Sequence, residues 1–133
     1  MTRPAIGPRS FLEYAGYRHL KAAILLLIAS IAVYLLEDPP GGRSGSSWTG
    51  YGLGTVAAGL IVWLMWLGVR KRSYRDVGPP LQGWTSAHVY LGTSLLLLVP
   101  LHSAFEFGAN VHTLAYALMC GVIGTGVFGV ALY

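Results

Sequence analysis

Four histidines, His19, His88, His102 and His112, are the residues of this chain best placed to do chemistry. His88 and His102 bracket the apolar stretch HVYLGTSLLLLVPLH and stand 14 positions apart. On a helix, 14 steps of about 100° close to within roughly 40° of whole turns, so both would share one side, about 21 Å apart. Histidine in hydrocarbon is costly unless it has a task there. Neutral imidazole is a common metal ligand and is also the cheaper form of the group in apolar surroundings. Haem iron takes axial ligands on both faces of its macrocycle, and two histidines from two helices at one depth can supply both. Iron saturated in this way transfers electrons and does not readily bind oxygen. The competing reading is that a lone membrane histidine bonds a backbone carbonyl and does nothing more.

These residues need elements to hold them, and the composition says which. Of the 133 residues, 54% are hydrophobic and only 11% are charged, whereas a soluble domain carries about a quarter charged residues. Four segments are long enough for a bilayer crossing of about 20 residues: 18–36, 51–69, 84–107 and 110–133. The intervening stretches EDPPGGRSGSS (37–47) and RKRSYRDVGPPLQG (70–83) are loop-like, rich in Gly, Pro, Ser or charge. FGAN (107–110) reads as a tight turn, with Asn110 as cap of the fourth helix. Strict apolar/polar alternation is absent, which argues against a β-barrel. The expected fold is all-α: a single domain, residues 1–133, forming a transmembrane four-helix bundle. Span one carries a weak cleavage-like Ser30-Ile31-Ala32, but its apolar run continues to Leu36, so an uncleaved span is expected. The single cysteine, Cys120, allows no disulfide within the chain, and the absence of C-x-x-C-H excludes covalent c-type haem.

Charge sets the direction of the spans. Arg3, Arg9, Arg18 and Lys21 precede or open the first, and Arg70, Lys71, Arg72 and Arg75 follow the second. Only Arg43 lies on the other side. The positive-inside rule then puts both termini in the cytoplasm, and this topological use of the net charge of +4 displaces a nucleic-acid role. Tyr34, Trp48 and Tyr51 would form an outer aromatic belt, and Trp66, Trp84 and Tyr133 an inner one.

On this topology His19 and His88 lie at inner depth, and His102 and His112 at outer depth. The expectation is therefore two b-type haems, or one as the alternative, with His19 paired to His88 and His102 to His112. Arg18 and Lys21 would pair with inner propionates or serve only as interfacial anchors. Gly92, one turn from His88, and Gly126, 14 positions beyond His112, would leave room for a ring edge. Ala117, Gly121, Thr125 and Gly129 form a small-residue ridge suited to helix packing. Pro100 cannot donate to the carbonyl of Leu96 and is a candidate kink just before His102.

The stretch HVYLGTSLLLLVPLHSAFEFGANVHTLAY (88–116), with His-x13-His and an H-x-x-L-G…L-H-S pattern, resembles four-helix di-haem cytochromes b. Cytochrome b561-type proteins and the membrane subunit of formate dehydrogenase are examples, and the segment is also similar to ferric-reductase-like membrane segments. The resemblance covers spans three and four well, and spans one and two by topology alone. Two features depart from it: the paired-histidine helix is the third span rather than the fourth, and span four carries His112 without a second spaced histidine. The resemblance implies transmembrane electron transfer, often with quinone, in which Glu106 could accept a quinol proton or simply stay solvated.

The expected role is thus an electron-transfer subunit rather than a complete enzyme, because no flavin or nicotinamide fingerprint is present. It would sit in a bacterial-type inner membrane with other subunits of a redox complex and exchange electrons with quinone or a periplasmic cytochrome. The alternative is a cofactor-free structural or assembly subunit. A proton or metal transporter is disfavoured, because the spans lack the carboxylates that proton relays use.

Overall fold

The computed structural model describes residues 11–72 and 80–132. Arg3, Arg9, Arg75 and Tyr133 of the charge and belt patterns lie outside the described residues. Every regular element among the described residues is helical, with no strand: a short 3₁₀ turn, Phe11–Glu13, then α1 (Arg18–Leu36), α2 (Trp48–Arg72), α3 (Leu81–His102) and α4 (Val111–Leu132). All four helices are long and apolar enough to cross a membrane, which makes the chain an integral membrane protein on length and composition.

The limits of α1 match the apolar segment, but α2 and α3 do not. α2 starts at Trp48 because Ser47 caps it. The Ser47 hydroxyl accepts the Gly50 N–H at 3.0 Å, satisfying one of the orphan donors of the first turn. At its other end α2 runs through Arg70, Lys71 and Arg72, cations placed at the negative end of the helix dipole. α3 stops at His102 rather than at residue 107. Its end closes by a Schellman pair, with Phe105 N–H bonded to the Pro100 carbonyl at 2.9 Å and Ala104 N–H to the Leu101 carbonyl at 3.3 Å. Ala104, at φ 52°, occupies the left-handed position usually given to glycine. The expected Asn110 cap is present, its Oδ1 accepting the Thr113 N–H at 2.9 Å.

α3 is the axis of the molecule: α1 and α2 pack along it, α4 touches it more lightly, and α1 and α2 barely meet. The α2–α3 seam is the hydrophobic core, with Leu53, Ala57 and Leu64 facing Leu95, Leu98 and Leu101. Those positions recur at steps of three, four or seven, the spacing that lines one side of a helix. The α1 side is built from small residues. Ala23 and Ser30 are buried on α1, and Gly83, Ser86, Ala87 and Ser94 on α3, which lets backbones approach closely where the bilayer supplies no hydrophobic drive between helices. Several helical hydroxyls are satisfied locally: Ser30 donates to Leu26, Thr55 to Tyr51, Thr85 to Leu81 and Ser94 to Leu91. No residue of α4 is buried.

Pro100 does not end α3, which continues through it to His102. Proline leaves the Leu96 carbonyl without its intrahelical donor, and Tyr116 of α4 supplies a substitute. Its hydroxyl donates to that carbonyl at 2.8 Å. A vacancy in one helix thereby becomes an attachment point for the next.

Candidate functional site

α4 leans on α3 at few points, and a cavity of about 870 Å³ opens between α4 and the α2–α3 pair. Its α3 wall is one helical stripe: His88, Gly92, Leu95, Val99 and His102. The α4 wall includes His112, Tyr116, Met119 and Ile123, and Glu106 and Asn110 lie at the mouth between the two helices. The volume falls in the range of roughly 300–1,000 Å³ common to cofactor pockets. The sequence expectation that His88 and His102 share one side of a helix is met, since both line this single cavity.

The two α3 histidines are held in the same way. His102 Nδ1 bonds the Gly50 carbonyl of α2 at 2.6 Å, and His88 Nδ1 bonds the Leu64 carbonyl of α2 at 3.3 Å. A carbonyl can only accept, so each Nδ1 must carry the proton. In the neutral ring Nε2 is then left with its lone pair. Metal-bound histidines almost always make this arrangement: the far ring nitrogen donates to a carbonyl or carboxylate, fixing the tautomer and raising ligand basicity. The 2.6 Å contact is the shorter of the two, so the His102 ring is the more firmly set.

Room for the His102 ring comes from α2. A Cβ added at Gly54 would lie 2.5 Å from His102 Cε1 and 2.6 Å from Nδ1. At Gly50 an added Cβ would meet the Ser44 carbonyl at 2.5 Å and the Gly45 carbonyl at 2.7 Å, backbone atoms that cannot step aside. Gly50 and Gly54 are spaced as a Gly-x3-Gly step, with Gly54 meeting the His102 ring of α3 and Gly50 the backbone of the loop before α2. That step was the available signal for these two residues, which the histidine pattern alone does not reveal. No contact in the structure requires Gly52.

The remaining candidates are placed differently. His112, in the first turn of α4, lines the same cavity as His102 but is exposed. His19 is not among the cavity residues. Its ring stacks on Tyr14 with centroids 5.7 Å apart, and its Nδ1 bonds Ser86 Oγ at 3.2 Å. Ser86 and His88 are two positions apart on α3, about 200° around the helix. The structure thus gives His19 a partner in Ser86, on a different side of α3 from His88. Arg18 and Lys21 are exposed on α1 and do not line the cavity. Gly92 does line it, and a Cβ there would make only ordinary contact with Leu64, at 3.8 Å. Gly126 lies outside it, with nothing within 4 Å of an added Cβ. The α4 ridge is likewise open, with nothing near Gly121 or Gly129, so it packs against no other part of the described chain.

Among the described residues no three His, Cys, Asp or Glu side chains cluster to hold a bare ion. Single imidazoles spaced along an apolar wall instead suit a group that brings its own equatorial ligands and needs only axial ones. Haem is such a group, and the lone-pair Nε2 atoms fit it. No protein-family model matches the chain, and neither curated proteins nor solved structures give a match.

Proposed function

We propose that the chain is a b-type cytochrome of the membrane, with haem seated in the α3–α4 cavity and ligated by His102 and His112. The observation that carries this reading is that His88, His102 and His112 line one cavity of about 870 Å³; the Nδ1 bonds of His102 and His88 to α2 carbonyls, which the competing reading also expects, leave Nε2 of each neutral ring unprotonated. The bound haem would supply one-electron transfer. The protein's part is to fix the ring tautomers, exclude water along the apolar wall and hold the axial nitrogens at a set depth. His88, at the far end of the same stripe, is the place for a second haem, and its second ligand would come from another subunit rather than from His19. The outward α4 face suits packing against such subunits in a larger redox complex.

In this reading the basic residues place both termini on the cytoplasmic side of a bacterial-type inner membrane. The cavity mouth, with Glu106 beside His112 and Asn110, faces outward, where quinone or a periplasmic cytochrome would exchange electrons. Glu106 is the group there able to take a proton from a quinol. The reduced-minus-oxidised absorbance spectrum of the purified chain tests the proposal. A b-type α-band with at least one haem per chain is expected, and a chain purified intact from haem-replete cells without that band would refute it.

A further inference from the structure

We infer that Gly54 is the positioning residue of the His102 site: the missing side chain at 54 keeps the His102 ring on the Gly50 carbonyl, with the proton on Nδ1 and the lone pair on Nε2. The inference rests on the haem reading for its purpose, but its physical content is a statement about one ring and one helix.

An α-helix interior ordinarily disfavours glycine. The first two turns of α2 nevertheless hold glycines at 50, 52 and 54. Position 52 is open and would accept a methyl group, whereas a methyl group at 54 would sit inside van der Waals contact of three His102 ring atoms, at 2.5, 2.6 and 3.1 Å. The obstacle is the end of a side chain and not backbone, so the fold can absorb Gly54→Ala by swinging the ring away. What it cannot keep is the 2.6 Å bond to Gly50. Once Nδ1 leaves that carbonyl, nothing fixes the proton there and Nε2 is no longer held as the free lone pair. The cost therefore falls on the ligand's orientation and tautomer rather than on helix packing. Gly92 and Gly126, the glycines singled out by position relative to histidines, lack this property, because added Cβ atoms there meet ordinary contact or open space.

The test compares Gly54→Ala with Gly52→Ala in the full chain, purified in detergent. Two readouts are taken: the side-chain ¹⁵N shifts of His102 and the haem content. In the wild-type chain depleted of haem, His102 should show a single Nδ1–H tautomer. Gly52→Ala should preserve it, and Gly54→Ala should replace it with a mixture and lower haem affinity by about 10–100-fold, the range for losing a partner of a ligating histidine. Should Gly54→Ala fold poorly, His102→Ala in the same chain removes the ring it strikes and should restore folding to the level of His102→Ala alone. A His102 spectrum unchanged by Gly54→Ala would overturn the inference, as would poor folding that His102→Ala fails to relieve. If the wild-type chain takes up no haem but the tautomer still depends on position 54, the positioning role stands and the haem reading fails.

Discussion

Along the α2–α3 seam, α2 carbonyls hold two α3 histidine rings, and the glycine at 54 gives the His102 ring its clearance. Along the α3–α4 gap there is no such seam. α4 buries no residue, and its clearest polar tie to α3 is the Tyr116 hydroxyl on the Leu96 carbonyl. The first region is preorganised: its two imidazoles are already oriented, so under the proposed haem reading little ordering would remain to be done at binding. The second leaves His112 exposed on a lightly attached helix beside open space. The contrast teaches that in this chain orientation is built on one side of α3 and volume on the other.

Breaking the preorganised side should have the largest effect. His102→Ala removes the best-fixed nitrogen, and because losing only a partner of a ligating histidine costs about 10–100-fold in affinity, haem at this end should be lost at micromolar haem, read as the α-band per chain. His112→Ala should be milder. Haem should stay on His102 at reduced occupancy, and the reduced protein should bind carbon monoxide, which iron with both axial positions filled resists. Equal loss of haem from the two variants would erase the asymmetry between the regions. His19→Ala should leave the haem content unchanged, since its ring engages Tyr14 and Ser86 away from the cavity.

The α4 attachment can be probed through its hydroxyl. Tyr116→Phe leaves the Leu96 carbonyl unpaired in an apolar setting, an expected loss of about 1–3 kcal/mol, seen as a lower midpoint of thermal unfolding. Pro100→Ala restores an N–H to that carbonyl, so Tyr116→Phe should cost much less in that background. Equal costs in both backgrounds would show that Tyr116 acts by packing alone. The smallest effect is expected at the end of α3. Ala104→Gly relieves the left-handed strain at φ 52° and should stabilise the chain by up to about 1 kcal/mol, since alanine pays roughly 1–2 kcal/mol in that conformation and glycine pays more backbone entropy.

Much of this was legible in the sequence because it depends on periodicity and composition. Four apolar runs fixed the four helices, the 14-residue spacing put His88 and His102 on one stripe, and Asn110 capped α4 as its residue type suggested. The end of α3 was not legible, since its stop signal is an alanine in a conformation that glycine usually marks. The placement of His19 was hidden for another reason. Depth in a bilayer says how high a residue sits but not which way around a neighbouring helix it faces, and Ser86 and His88 differ in that respect alone. Gly54 escaped because its importance lies in which ring approaches it, a relation between residues 48 positions apart.

The electron paramagnetic resonance spectrum of the oxidised, purified chain tests the central claim most directly. The account predicts a low-spin ferric signal of the kind two imidazole ligands produce, converted to a high-spin signal or lost in His102→Ala and retained in His19→Ala. A wild-type spectrum without ferric haem, or a low-spin signal that survives His102→Ala and disappears in His19→Ala, would contradict it.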